Sequence, residues 1–130
     1  MTRALLLVDH GSRRPAANAV LVQVAEIIRH QSDFAVVHYG HMEIAEPTIA
    51  QAFDACVADG AREVIVHPYF LAPGDHYNET VPRLVAEAAT RHPEVRWTIT
   101  EPLGIHAKLC EVVLERVEAA VDHRPVRGSC

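Results

Sequence analysis

The sequence predicts an α/β domain: a four-stranded parallel sheet with helices on both faces. Three observations carry that expectation. Short apolar runs alternate four times with longer stretches whose apolar residues recur at helical spacing. The first run, Ala4-Leu5-Leu6-Leu7-Val8, is continuously apolar, as in a strand covered on both faces. Polar turns or Gly/Pro stops separate the runs from the helical stretches. No repeat, low-complexity tract or linker interrupts the pattern, and 130 residues suit one domain. The expected domain covers residues 1–121, and a polar tail fills 122–130.

The elements follow in order. The first strand ends at Asp9-His10-Gly11-Ser12-Arg13-Arg14-Pro15, after which Ala17, Val20, Leu21, Val24, Ile27 and Ile28 form one helical face. The second strand reads Phe34 to Tyr39 and closes at Gly40. Pro47 suits the first turn of the next helix, whose buried stripe is Ile49, Ala52, Phe53, Cys56 and Val57. Gly60 is expected to end it in a left-handed conformation. Val64-Ile65-Val66 is the third strand and feeds a stiff loop with two prolines and a glycine, Pro68 to His76. Val81, Leu84, Val85, Ala88 and Ala89 mark the third helix, which His92-Pro93 should terminate, because a residue before proline avoids helical geometry. Val95 to Thr100 is the fourth strand. Leu109, Val112, Val113, Val117, Ala120 and Val121 mark the last helix, and the tail beyond it is expected to fray.

Composition narrows the function. A formal net charge of -5 argues against a nucleic-acid binder. Ala4 to Val8 is far too short to span a membrane, and nothing resembles a signal peptide. Cys56, Cys110 and Cys130 are odd in number and form no CxxC pair, which points to reduced thiols and a cytoplasmic location. Nine histidines are the one oddity, and most of them are expected to be solvated surface groups.

His10, Glu43 and His76 stand apart from the rest. Each follows one of the first three strands, and 33 residues separate each from the next. A βα unit takes roughly 30 residues, so equal spacing puts all three at the carboxyl edge of the sheet, where open α/β sheets bind ligands. Two imidazoles and a carboxylate suit a first-row divalent metal and leave positions open for exchange. The plain alternative is three loop groups bonded to backbone, and His38, His41 and His67 also lie near strand ends. Arg13 and Arg14 sit at a helix start that favours anions, although each alone reads as a solvated helix end. Asp9 is expected to orient His10 or to cap the turn. Tyr69 and Phe70 stand equally as lid residues or as anchors of the loop.

Four motifs in order carry a resemblance. Leu6 to Arg13, Met42 to Ile49, Pro68 to His76 and Pro102-Leu103-Gly104-Ile105-His106 resemble motifs of the small sirohydrochlorin chelatases, over residues 4 to 118. Thr80-Val81-Pro82 departs from the Asp-Ile-Pro often found in that family, and no histidine-rich tract or cysteine motif is present. The resemblance implies metal insertion into a tetrapyrrole of cobalamin or sirohaem synthesis, with the metal as substrate and no organic cofactor. Cobalt is the first expectation, with iron and nickel behind it. The resemblance also implies that His10 and His76 hold the metal while Glu43 assists. Arg13, Tyr69 and Phe70 are the expected contacts of the macrocycle. Larger family members contain two such domains, so a single domain is expected to pair as a homodimer around a cleft, with no nucleic-acid or membrane partner. A non-catalytic metal or tetrapyrrole carrier would use the same residues. A histidine phosphatase is the remote alternative, since the position before His10 is Asp9 where that chemistry wants arginine.

Overall fold

A computed structural model of the chain describes residues 2–72 and 74–123, less the side chains of Asp75, His76, Tyr77 and His123. The elements are β1 (Arg3–Asp9), α1 (Pro15–Gln31), β2 (Val36–His41), α2 (Ile49–Ala58), β3 (Glu63–Pro68), α3 (Asp75–Ala89), β4 (Arg96–Ile99) and α4 (Ala107–His123). The strands form one parallel sheet in the order β2-β1-β3-β4. Crossovers between parallel strands are right-handed. The chain steps one way from β1 to β2 and then back to β3 and β4. That reversal puts α1 on one face and α2 with α3 on the other.

The core divides accordingly. Leu6, Val8, Val64 and Val66 point to the α2–α3 side and pack with Phe53, Cys56, Val81 and Val85. Leu5, Leu7 and Val37 point to the α1 side and pack with Leu21 and Ala25. Each fully buried side chain of this size stabilises the fold by about 1.5–3 kcal/mol.

Several boundaries differ from the expectation. The loop expected to run to His76 ends earlier, because α3 begins at Asp75, and β2 begins at Val36 instead of Phe34. Gly40 lies inside β2 and does not close it, because α2 approaches there. A Cβ at Gly40 would meet Ala52 Cβ and Thr48 O at 3.0 Å. Pro47 precedes α2, which begins one residue after Thr48. The Thr48 hydroxyl accepts the Gln51 N–H, and the Gln51 side chain accepts the Thr48 N–H, so a capping box fixes the start. The third helix ends at Ala89, before His92-Pro93, and a turn closed by His92 N–H to Ala89 O fills the gap. At the other end, α4 runs through Asp122 and His123 into the expected tail, whose residues 124–130 lie outside the described ones. Gly60 does follow α2 with φ of 101°, as expected.

Candidate functional site

The carboxyl ends of β2, β1 and β3 lie side by side with β1 in the middle. Two of the loops that leave them interlock. Residues 10–14 are tied to α1, since the Ser12 N–H donates to Asn18 Oδ1 at 2.9 Å and Asn18 Nδ2 donates to Ser12 O at 2.7 Å. Residues 42–47 leave β2 as a closed excursion. The His41 N–H donates to Pro47 O at 2.8 Å, and a bridge pairs His41 with Thr48.

Inside that excursion the Ala45 N–H donates to Glu43 O at 2.8 Å across Ile44, whose φ is 75°. Such a three-residue turn on a β-branched residue costs about 1–3 kcal/mol. It is held by two bonds to the neighbouring loop, Met42 N–H to Asp9 O at 2.8 Å and Glu43 N–H to His10 O at 3.2 Å. Gly11 makes the approach possible. Its φ is 91°, and a Cβ there would lie 1.9 Å from Glu43 O.

This interlock brings His10 and Glu43 together: His10 Nε2 lies 3.1 Å from Glu43 Oε1, with both side chains about half exposed. Beneath them Asp9 Oδ1 lies 2.5 Å from His41 Nδ1, and the His41 side chain is only 1% exposed. Asp9 therefore orients His41, a partner that the sequence did not indicate. The register explains it, because Asp9 and His41 are direct partners across β1 and β2. That register was the signal sequence reasoning missed.

The remaining strand-end histidines have partners of their own. His38 Nε2 lies 2.7 Å from Asp59 Oδ2, and His67 Nδ1 lies 2.8 Å from Thr100 Oγ1. Burial holds the His67 imidazole below its ordinary pKa. Burial, with Asp59 nearby, also pushes the Cys56 thiol up to about 12, so it is no nucleophile.

His76 is the second residue of α3, just beyond Gly74 at the cap, and its side chain lies outside the described residues. Arg13 is exposed on the turn after His10. Tyr69 and Phe70 sit half-buried on opposite faces of the sheet. Tyr69 packs against the α1-side core, and Phe70 against the α2–α3 core, where it borders a cavity of about 90 Å³ with Val81, Pro82 and Ile99. Each ring thus packs against the core on its own side of the sheet. Phe70 O and Leu71 O accept the N–H groups of Leu103 and Gly104 at 2.9 and 2.8 Å, which brings the segment before α4 to the same edge. A wider hollow of about 560 Å³ lies at the opposite edge, bordered by Arg3, Asp33 and Phe34, and holds none of the expected site residues.

Among the described residues no group of three or more His, Cys, Asp or Glu is placed to hold a metal. The pair His10 and Glu43 offers one nitrogen and one carboxylate oxygen, donors that suit a first-row divalent ion and leave most of its positions free. No helix among the described residues is long and apolar enough to cross a membrane.

Comparison with known proteins places this edge in context. The CbiX family model matches residues 4–120. The chain is 40% identical over 119 residues to the chloroplastic sirohydrochlorin ferrochelatase of Arabidopsis thaliana, covering 92% of this chain and 53% of that one. It is 43% identical to the sirohydrochlorin cobaltochelatase of Methanocaldococcus jannaschii, covering 87% of this chain and 96% of that one. Among solved structures it is similar to the sirohydrochlorin chelatase SirB from Bacillus subtilis subspecies spizizenii in complex with cobalt. There the TM-score is 0.86 at 32% identity, covering 92% of this chain and 51% of that one. The chain thus spans about half the length of the Arabidopsis and Bacillus proteins.

Proposed function

Because the chain belongs to the CbiX family, we propose that it inserts a divalent metal into sirohydrochlorin, cobalt first, with iron and nickel as alternatives. The observation that carries this reading is the contact of His10 with Glu43 at the carboxyl edge of the sheet. The names of the Arabidopsis and Methanocaldococcus relatives supply the macrocycle and two of the metals.

Insertion exchanges two pyrrole N–H protons for one dication, so a site must hold a metal loosely and accept protons. His10 binds the ion through Nε2, the nitrogen that otherwise faces Glu43, and binding displaces any proton shared between them. Glu43 supplies an oxygen and balances charge. His76, in the first turn of α3, is the third member of a ligand set open enough to release its ion, unlike a closed four-ligand site. The half exposure of His10 and Glu43 suits that release. Arg13, exposed on the turn after His10, meets acidic groups of the macrocycle in this reading, while Tyr69 and Phe70 hold the segment between β3 and α3.

The same reading makes the protein a homodimer, since a flat macrocycle is held between two walls and one sheet edge supplies only one. It also places the chain in the cytoplasm, in keeping with the free thiols of Cys56 and Cys110. The test is anaerobic incubation of the protein with sirohydrochlorin and each divalent metal, following the absorbance change on insertion. Multiple turnovers with cobalt or iron support the reading. Stoichiometric binding without turnover would make the protein a carrier, and absence of both binding and turnover would overturn the assignment.

A further inference from the structure

Ile44 is strained where it stands. It sits at the centre of a three-residue turn with φ of 75°, a conformation that glycine adopts freely and a β-branched residue resists. Burial does not offset the strain, because Ile44 is 59% exposed. The turn needs only a backbone. What isoleucine adds beyond glycine is an apolar side chain held in solvent, next in sequence to Glu43. Strain of this kind persists where the strained residue serves a site.

Two more apolar side chains share that edge. Leu71 follows β3 and is 69% exposed, and Ile105 precedes α4 and is fully exposed. Their backbones are neighbours, since the Gly104 N–H donates to Leu71 O at 2.8 Å. The loops of the opposite edge, residues 32–35, 59–62 and 90–95, leave no large apolar side chain exposed. Among the described residues, every such side chain outside α1 and α4 therefore stands at the carboxyl edge. There is one in each of the loops that follow β2, β3 and β4.

Strand order sets their spacing. Because β1 lies between β2 and β3, the loop of His10 lies between that of Ile44 and the neighbours Leu71 and Ile105. Adjacent strands are about 4.8 Å apart, so β2 and β3 end roughly 10 Å from one another. A flat apolar ligand wide enough to touch both sides would have its middle over His10 and Glu43.

We propose that Ile44, Leu71 and Ile105 are the surface on which the macrocycle lies, with apolar contacts on both sides of the metal-binding pair. The inference rests on the insertion activity proposed above and deepens it. A tetrapyrrole of this class is a conjugated disc, apolar on its faces and carrying carboxylates around its margin. Ionic contacts at the margin alone leave the disc free to tilt. Apolar contacts on both sides of His10 and Glu43 fix its plane, so that an ion released there meets all four nitrogens together. They also leave the metal ligands unoccupied by the ring.

Anaerobic absorbance titration with metal-free sirohydrochlorin tests this. Ile44→Gly keeps the turn and removes the side chain, and it should weaken macrocycle binding about tenfold. Cobalt alone, titrated calorimetrically, should bind as before, because the Glu43 N–H still meets His10 O. The urea midpoint of this variant should rise by about 0.5 M as the strain is released. Leu71→Ser with Ile105→Ser should weaken macrocycle binding at least as much. In the insertion assay both losses should fall on the KM for the macrocycle, with kcat within about twofold. Ile27→Ser is the control: Ile27 is 54% exposed in the second half of α1, away from this edge, and its replacement should leave the affinity unchanged. Unaltered macrocycle affinity in Ile44→Gly or in the double variant would overturn the proposal. So would a fallen midpoint or weakened cobalt binding in Ile44→Gly, since Ile44 would then serve the fold or the aim of Glu43. An equal loss in Ile27→Ser would overturn it too. If the unaltered protein bound no sirohydrochlorin at all, the insertion activity itself would be refuted.

Discussion

Replacing Gly11 with alanine tests whether the site is made by two loops locking together. The φ of 91° alone costs an L-residue about 1–2 kcal/mol. The added methyl would also lie 1.9 Å from Glu43 O, 3.1 Å from Glu43 C and 3.2 Å from His41 Cβ. Two of these atoms are backbone, so no rotamer change relieves the clash and the loops must part. Parting breaks the Met42–Asp9 and Glu43–His10 backbone bonds, each worth about 1 kcal/mol. The sum is about 3–4 kcal/mol, a large share of the roughly 5–15 kcal/mol that holds a domain folded. Gly60→Ala is the control. Its φ is 101°, but nothing lies within 4 Å of the added Cβ, so only the strain of about 1–2 kcal/mol remains. In urea titrations with m of about 2 kcal/mol/M, Gly11→Ala should lower the midpoint by roughly 2 M and Gly60→Ala by less than about 1 M. Cobalt titrated calorimetrically into the folded fraction should bind more weakly to Gly11→Ala alone. Equal midpoints for the two variants would refute the interlock, and unchanged cobalt affinity would detach Gly11 from the site.

Four further perturbations separate the roles of individual side chains. His10→Ala should weaken cobalt binding by more than the roughly 10–100-fold that losing a supporting hydrogen bond costs, with an unaltered melting curve. Glu43→Gln keeps volume and removes charge, so it should slow insertion while retaining much of the metal affinity, and unchanged kinetics would remove Glu43 from the reaction. Asp9→Asn takes the charged partner from a histidine that is 1% exposed, and should cost about 1–3 kcal/mol in thermal unfolding. For His67→Gln the readout is the pH dependence of stability. Burial lowers the folded-state pKa, so the unfolded chain binds the proton more readily. The native chain then loses stability as pH falls from above the ordinary imidazole value toward the lowered one. The variant should lose less over that window, and parallel curves would show that His67 contributes nothing to it.

The fold was legible because a parallel sheet covered on both sides leaves a strong trace in sequence. Ala4–Val8 has no polar position at all, and each helix shows one apolar stripe. Boundaries were less legible where a tertiary contact decides them. Gly40 looks like a strand end, yet it is the point where α2 packs closest to β2. Pro47 looks like a helix start, but the reciprocal Thr48–Gln51 bonds place the start after it. At the site, equal spacing put His10 and Glu43 at one edge, and the structure brings them to 3.1 Å. Spacing does not show pairing between strands, so the partner of Asp9 was invisible. Nor could the stripe on α4, where Val113 and Val117 stand exposed, be distinguished from that of an ordinary core helix, since periodicity reports an apolar face and not what covers it.

The buried pair beneath the site ties its geometry to the sheet's register. The excursion from Met42 to Pro47 carries a left-handed Ile44, at a cost of about 1–3 kcal/mol. It gains three backbone bonds, from His41, Met42 and Glu43, worth about 1 kcal/mol each. Those terms nearly cancel, so the loop by itself has little preference for the shape that aims Glu43 at His10. The Asp9–His41 pair adds what is missing. Both residues end their strands on the α1 side, continuing the columns Leu5, Leu7 and Val37, Tyr39. A slip of one residue between β1 and β2 would turn His41 to the other face and leave Asp9 without a partner. The register that buries Leu7 and Val37 is therefore the same one that pairs Asp9 with His41, and that pairing fixes the points from which the two site loops depart. Core packing and site geometry are set by a single choice of register, which is why a half-exposed pair such as His10 and Glu43 can be held in place from below.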